Sequence, residues 1–136
     1  MLLGREIMRA QIPVAALIAG LLLHFGSSAA RADCGAKNEF EDVYCYAKQY
    51  VASDDALNAA YKALTGKLDA GQKSVLKKSQ LGWIKQRNAE CGSTDSEGYS
   101  VDLSCAVDFT ETRTQFLKDR AAECDAGGCD AEKLSQ

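Results

Sequence analysis

The sequence predicts an all-α domain, a small disulfide-stapled three-helix antiparallel bundle. Apolar residues recur at intervals of three and four over three long stretches, as on one face of an α-helix, and no stretch has the alternation typical of a strand. Six cysteines, an even number, indicate a disulfide framework that supplements the modest core of a short chain. Three helices with short connections pack as an up-down-up bundle.

Residues 1–32 have the pattern of a secretory signal peptide that is cleaved after Ala32. Arg5 and Arg9 precede an apolar run over residues 12–25, and small residues follow it up to the cleavage position. The apolar run is shorter than the ~20 residues that a membrane-spanning helix needs. We therefore expect a periplasmic or secreted protein with no membrane anchor after cleavage.

Residues 33–136 are expected to form a single helical domain in which residues 125–136 are a short polar tail. The full chain carries a net charge of −3 and the leader contributes +2, which leaves −5 on this domain. An acidic domain is a poor ligand for nucleic acid or for an anionic membrane surface, and it suits a basic partner.

The first helix is expected from Asn38 to a stop or bend at Gly66. Its stripe repeats every seven residues in two rows, and Asp54 lies in the middle of it, where an apolar residue would be expected. The rows are Val43, Tyr50, Leu57 and Leu64, and Ala47, Asp54, Tyr61 and Leu68.

The second helix is expected from Ala70 to Asn88 or Cys91, because Asp69 and Gln72 have the spacing of a capping box before it. Its stripe mixes apolar and polar side chains and contains the only tryptophan of the chain. Its members are Leu76, Gln80, Trp83, Arg87 and Cys91.

A loop of turn-forming residues without apolar periodicity is expected from Gly92 to Ser100. The third helix is expected from Val101 to Ala122. Its stripe again carries arginine where core is expected, in the series Cys105, Phe109, Arg113, Phe116 and Arg120.

Antiparallel packing would bring Asp54, Gln80, Trp83 and Arg113 to one level of the core, with Arg87 about a turn away. A buried carboxylate without a partner costs several kcal/mol. We therefore predict that Asp54 pairs with Arg113, or as a second choice with Arg87, and that Gln80 completes the network. These side chains are expected to support the fold rather than to contact a ligand.

The same antiparallel packing places the six cysteines at the two ends of the bundle. Cys124 and Cys129 fall at one end, so a bridge between them is expected. At the other end we favour Cys34–Cys45 with Cys91–Cys105, and the pairs Cys45–Cys91 with Cys34–Cys105 remain the alternative.

Residues 33–136 contain no histidine, which excludes Ser/His/Asp and Cys/His catalysis. A glycosidase-like pair of carboxylates is possible on the first helix, but we expect these groups to cap or solvate it. They are Glu39, Glu41, Asp42, Asp54 and Asp55. No close Cys-x-x-Cys pair is present for zinc or redox chemistry. The sequence thus predicts a protein that is not an enzyme and holds no metal or cofactor.

Several spaced motifs point to one family. They are Cys34, Cys45, Asp54-x-x-Leu57-Asn58-x-x-Tyr61, Gln80-x-x-Trp83-Ile84-x-x-Arg87-Asn88-x-x-Cys91, Cys105 and Thr110-x-x-Arg113-Thr114. This pattern resembles the N-terminal domain of the LprI-like lysozyme-inhibitor family over roughly residues 34–117. The resemblance implies an exported bacterial protein that binds and blocks a lysozyme through a protein–protein surface. The alternative is an exported binding module, without enzymatic activity, for another periplasmic protein or a small ligand.

An inhibitor of this kind needs an element that reaches the carboxylate-lined cleft of its target. Lysozymes of the animal type are typically basic, so an acidic inhibitor gains electrostatic steering toward them. The candidate element is the connection after the second helix, where Tyr99 is the only aromatic residue and Asp95 and Glu97 are acidic. An open pocket near Asp54, Arg87 and Arg113 would instead favour a small-molecule ligand.

Overall fold

The computed structural model describes residues 34–35 and 37–136, so the predicted signal peptide lies outside the described residues. Residues 33–136 form one compact unit. Its described part is mostly helical, which confirms the predicted fold class, and it contains one small hairpin. The elements are α1 (Glu39–Thr65), α2 (Ala70–Cys91), β1 (Gly92–Asp95), β2 (Gly98–Val101), α3 (Leu103–Gly127) and a 3-10 helix (Lys133–Ser135).

Side-chain caps fix where the first two helices begin. The Asn38 side-chain oxygen accepts a hydrogen bond from the Glu41 backbone N–H at 3.0 Å and starts α1. Before α2, the Gln72 backbone N–H donates to Asp69 Oδ1 at 2.8 Å, and the Asp69 N–H donates to Gln72 Oε1 at 3.0 Å. The predicted capping box is therefore confirmed, and each cap satisfies N–H groups that have no partner within the helix.

Leucine side chains make most of the core. The most extensive helix contact joins α1 to α3, and α2 packs on α3 and on the 3-10 helix. A short turn at Gly66 links α1 to α2, and the two helices run in opposite directions. The buried cluster consists of Leu57, Ala60, Leu64, Leu68, Leu76, Leu117 and Leu134.

The N-terminal half of α1 departs from the predicted apolar stripe. Buried positions on this helix begin only at Ser53, and Val43 remains exposed. A disulfide between Cys34 and Cys45, rather than core packing, holds this half of the helix to the chain before it. The predicted stripe is therefore right for the second half of α1. In the first half Ala47 and Tyr50 are half-buried, and the prediction was wrong for Val43.

The prediction of an irregular loop after α2 was wrong, because an antiparallel hairpin forms there. β1 pairs with β2 in a register that sets Thr94 opposite Tyr99 and Asp95 opposite Gly98. Asp95 Oδ1 accepts hydrogen bonds from the backbone N–H groups of Glu97 and Gly98. Gly98 has φ 131°, a conformation that glycine adopts without strain. The strands are four residues long and mostly polar on both faces, so they carry no apolar alternation.

Three disulfides staple the described domain. They are Cys34–Cys45, Cys91–Cys105 and Cys124–Cys129, so the favoured set of pairs is confirmed. The second bridge closes the base of the hairpin, where the Asp102 backbone N–H also donates to the Cys91 carbonyl oxygen at 2.8 Å.

The chain after Ala122 is more ordered than the predicted polar tail. α3 continues to Gly127, and the 3-10 helix places Leu134 in the core with 1% of its surface exposed. The Gln72 side-chain amide donates to the Cys129 carbonyl oxygen at 2.8 Å and ties this segment to α2. Leu134 is too isolated in the sequence to show an apolar period, so the sequence did not predict that this segment packs on the domain. Over the helices that the structure describes, none is long and apolar enough to cross a membrane.

The N-cap of α3 gives a pH-dependent prediction. Hydrogen bonds from the Cys105 backbone N–H and from the Ser104 hydroxyl hold the pKa of Asp102 below its ordinary value of 3.8. Asp102→Ala should therefore lower the free energy of unfolding at neutral pH by about 1 kcal/mol. Because the folded pKa is depressed, this stabilisation is present above pH 3.8 and is lost as the pH falls through the folded pKa.

Urea unfolding of the wild type and Asp102→Ala from neutral pH to about pH 2 tests this prediction, and the two stabilities should converge in acid. Asp55→Ala is the control, because it removes an exposed carboxylate of α1 that caps no helix. Its effect should stay within about 0.5 kcal/mol. A difference between the wild type and Asp102→Ala that is constant over the whole pH range would contradict the prediction.

Candidate functional site

Arg113 of α3 is the polar centre of the interface between α3 and α2. Only 5% of its surface is exposed. Its Nε donates to Gln80 Oε1 at 2.9 Å, its Nη2 to Ser79 Oγ at 2.7 Å, and its Nη1 to the Gln136 carbonyl oxygen at 2.7 Å. The guanidinium therefore joins three segments: α3, α2 and the residues that follow the 3-10 helix.

Two of the three hydrogen-bond acceptors of Arg113, Gln80 Oε1 and Ser79 Oγ, are uncharged groups. Burial lowers the pKa of Arg113 from its ordinary value to about 10, and the neighbouring Tyr61 acts in the opposite direction. The side chain thus remains a cation at neutral pH. A guanidinium has five N–H donors, so two of them are left after these three bonds.

The predicted ion pair between Asp54 and Arg113 was wrong, and so was the second choice with Arg87. Asp54 is half-buried on α1, and its Oδ2 accepts a hydrogen bond from the Asn58 side-chain amide one turn later, at 3.0 Å. The exposed part of this carboxylate can be solvated by water, so it needs no cation. Gln80 lies in the Arg113 network as an acceptor.

A second contact links α2 to α1. In it, Arg87 of α2 lies over two aromatic rings, those of Trp83 on α2 and Tyr50 on α1. The guanidinium carbon of Arg87 lies 5.1 Å from the centre of the Trp83 ring and 5.6 Å from the centre of the Tyr50 ring. Arg87 also donates from Nε and Nη2 to the Asn88 side-chain oxygen. Cation–π contacts of this kind hold the C-terminal half of α2 against the middle of α1.

Two grooves open on either side of Trp83, and both reach Arg113. One has a volume of about 440 Å³ between α2 and α3, and the other of about 590 Å³ runs along α2 toward Gln136. Apart from Arg113, the first is lined by Trp83, Gln86, Asp108, Phe109, Thr112 and Phe116. A groove of this size, with aromatic walls and a few polar groups, can receive a small ligand.

The hairpin presents the three residues that were predicted to contact a partner. Glu97 lies at the exposed tip, whereas Asp95 is engaged in holding the turn. The Tyr99 ring folds back over Gly92, where an added Cβ would collide with the Tyr99 hydroxyl and lie 2.6 Å from the Asn88 carbonyl oxygen. Tyr99 nonetheless keeps 64% of its surface exposed.

The hairpin and the start of α1 extend toward the same end of the domain. Arg87 lies over Tyr50, which sets the C-terminal part of α2 beside the middle of α1. Because the two helices are antiparallel, the chain after Arg87 and the chain before Tyr50 run in one direction from this contact. This end carries the exposed hairpin, two of the disulfides and the acidic first turn of α1.

The described residues offer little for metal binding. Among them, no group of three or more histidine, cysteine, aspartate or glutamate side chains is placed to hold a metal ion. Every cysteine in this part of the chain is in a disulfide. What the arrangement presents is a rigid hairpin, a buried cation beside two grooves, and an acidic end.

These features define a small helical domain stapled by disulfides, with a projecting hairpin and a buried arginine clamp. The chain belongs to the lysozyme inhibitor LprI family, whose family model matches residues 30–117. This is a family of inhibitors rather than of enzymes. No curated protein and no solved structure gives a significant match to the chain.

Sequence reasoning located the buried clamp only in part. The sequence placed Gln80 and Trp83 beside Arg113. It missed Ser79, which lies off that stripe, and the Gln136 backbone oxygen, which belongs to a segment expected to be a tail. The groove walls Phe109 and Phe116 did appear in the α3 stripe, where they were expected to be core. Their partial exposure depends on how far apart α2 and α3 lie.

Replacement of Arg113 by lysine tests the clamp. Arg113→Lys keeps the charge but cannot reach three divergent acceptors, and hydrogen bonds to charged groups contribute about 1.5–3 kcal/mol each. We expect the free energy of unfolding, measured by urea titration with far-UV circular dichroism, to fall by about 2–4 kcal/mol. Arg87→Lys is the matched control and should cost less than about 1 kcal/mol, because its main contacts are ring faces. Equal losses in the two variants would contradict this role of Arg113.

Proposed function

We propose that this protein is an exported inhibitor that binds a lysozyme and blocks it through a protein–protein surface that includes the hairpin. Membership of the lysozyme-inhibitor family supports the class of target. The observation that carries the choice of surface is the hairpin itself, a short projection with exposed Tyr99 and an acidic tip. An element of this shape suits entry into a cleft.

The hairpin is held in place before any partner arrives. The Cys91–Cys105 bridge closes its base, Asp95 holds its turn, and the hydroxyl groups of Ser93 and Ser100 lie 2.7 Å apart across the strands. A pre-organised contact element loses less conformational entropy on binding than a flexible loop does. This favours a recognition role for the hairpin over a role as a simple connection.

Charge supports a basic target. The hairpin contains two acidic residues and no lysine or arginine, and the first turn of α1 at the same end adds Glu39, Glu41 and Asp42. Opposite charge steers association with a basic lysozyme. Three disulfides in so small a domain also favour an oxidising compartment, in agreement with a periplasmic or secreted protein.

Lysozyme activity on bacterial cell walls, with and without the oxidised domain 33–136, tests the proposal. The wild type should inhibit in a concentration-dependent manner. Glu97→Lys should raise the inhibition constant about tenfold, because it places a like charge at the point that faces a basic partner. Glu132→Lys is the matched control, since it makes the same charge change at the opposite end, next to the 3-10 helix.

The control should inhibit as the wild type does. Equal weakening by both variants would show that only net charge matters and would remove the hairpin from the interface. No inhibition by the wild type at a large molar excess over several lysozyme types would overturn the proposed function itself.

A second candidate function, binding of a small ligand, is favoured by the groove of about 440 Å³ beside Trp83. Its aromatic walls suit a small ligand with a planar apolar ring. Arg113 lines the same groove, and its guanidinium attracts an anionic group. This function would not depend on the hairpin.

Fluorescence of Trp83, the only tryptophan, reports on this groove. Titration with 2-naphthoate should give saturable quenching, because the ring would stack in the groove and the carboxylate would approach Arg113. Thr112→Phe should weaken binding about tenfold or more by filling the groove with an aromatic ring. Gln115→Phe, an exposed position of α3 that does not line the groove, should bind as the wild type does. Absence of quenching, or the same affinity in Thr112→Phe, would exclude this second function.

A further inference from the structure

The first half of α1 bears an apolar face that points away from the core. We infer that this aromatic face, which we define as Phe40, Val43, Tyr44 and Val51, forms a second part of the surface that contacts the lysozyme. The inference rests on the proposed function and names a contact region that lies outside the hairpin. The side chains are respectively 78%, 59%, 57% and 61% exposed.

The spacing of these residues makes a continuous stripe. Positions separated by three, four and seven residues lie on one side of an α-helix, so the face extends over about three turns. The rings of Phe40 and Tyr44 are stacked, with centroids 6.3 Å apart and planes inclined by 6°. The Lys48 ammonium lies 4.5 Å from the centre of the Tyr44 ring. The two aromatic rings therefore form one ordered apolar surface rather than two independent side chains.

This stripe is separate from the side of α1 that packs in the domain. The buried positions Ser53, Leu57, Ala60 and Leu64 lie on a different side of the helix from Phe40, Tyr44 and Val51. Val43 lies at the edge between the two sides, in the same heptad row as Leu57 and Leu64. Burial of an aromatic residue contributes roughly 1.5–3 kcal/mol, and Phe40 gains little of this in the free domain. A contiguous exposed apolar patch of this kind is typical of an interaction surface.

The position of the aromatic face makes it continuous with the candidate surface. Three of its four residues precede Tyr50, and the contact between Arg87 and Tyr50 sets the hairpin and the start of α1 at one end of the domain. A partner that engages the hairpin would thus meet the aromatic face next. Tyrosine and phenylalanine together with a polar surround are the composition found at the centres of protein interfaces.

The charges around this end indicate which kind of protein can bind the aromatic face. Residues 37–48 and 92–101 together contain five carboxylates and two lysines, a net charge of −3. A second copy of this chain would bring the same excess of negative charge against it, whereas a basic protein would be attracted. The occupant that fits is therefore a basic protein with an exposed apolar recess, which is the chemistry of the proposed target.

Inhibition assays on Phe40→Ser and Tyr44→Ser test this inference with the same basic lysozyme that the wild type inhibits. Each variant should raise the inhibition constant about tenfold or more, as for an aromatic residue at the centre of an interface. Thermal unfolding should be almost unchanged, since both side chains are exposed in the free domain. Leu81→Ser is the matched control, because Leu81 is 52% exposed but lies on α2 about 24 Å along the bundle from Phe40.

The outcomes separate this inference from the proposed function. Inhibition by the wild type that both serine variants retain would overturn the inference and leave the proposed function standing. No inhibition by the wild type would overturn both. Sedimentation that gives a dimer for the wild type and a monomer for Phe40→Ser would show that a second copy occupies the face, and would also overturn the inference. Loss of inhibition in the two variants, with Leu81→Ser unaffected and all proteins monomeric, is the expected result.

Discussion

The buried guanidinium of Arg113 is the constraint on which the arrangement of the other segments depends. A buried cation is stable only when hydrogen-bond acceptors replace the water around it. The N–H donors of a guanidinium lie in one plane in fixed directions, so its acceptors must occupy fixed positions. α2 supplies two acceptors through Ser79 and Gln80, and the segment after the 3-10 helix supplies the third. Leucine packing alone tolerates sliding between helices, whereas this fork fixes the level of α2 against α3. It also explains why the last residues lie on the domain instead of trailing from it.

The main core and the proposed contact surface lie at opposite ends of the domain. The leucine cluster and the Cys124–Cys129 bridge lie toward the turn that joins α1 to α2. The opposite end has few buried apolar residues and is held by two other disulfides, which leaves its side chains free to face a partner. Exposed aromatic residues can be kept there because covalent links, rather than burial of those residues, maintain the local structure.

The comparison between α1 and the hairpin shows where patterns in the sequence mislead. The heptad rows of α1 begin at Val43, yet this side chain keeps 59% of its surface exposed. An apolar stripe identifies the side of a helix that can be buried, and only the neighbouring elements decide how much of it is buried. The hairpin is the opposite case, since its pairing depends on backbone hydrogen bonds and a turn, and its exposed strands need no apolar pattern.

The sequence by itself determined the three helices, the capping box at Asp69 and the family, because each depends on local spacing or on residue identity. It left two sets of cysteine pairs open, and the structure has the favoured set. Tertiary structure decided the partners of the polar residues. Asp54 accepts a hydrogen bond from Asn58 on its own helix. Arg113 donates hydrogen bonds to α2 and to the chain beyond Leu134. From the sequence, several different partners would satisfy the hydrogen bonds and charges of these two side chains. The choice among them depends on distances between segments far apart in the chain, which helix packing sets and residue spacing does not encode.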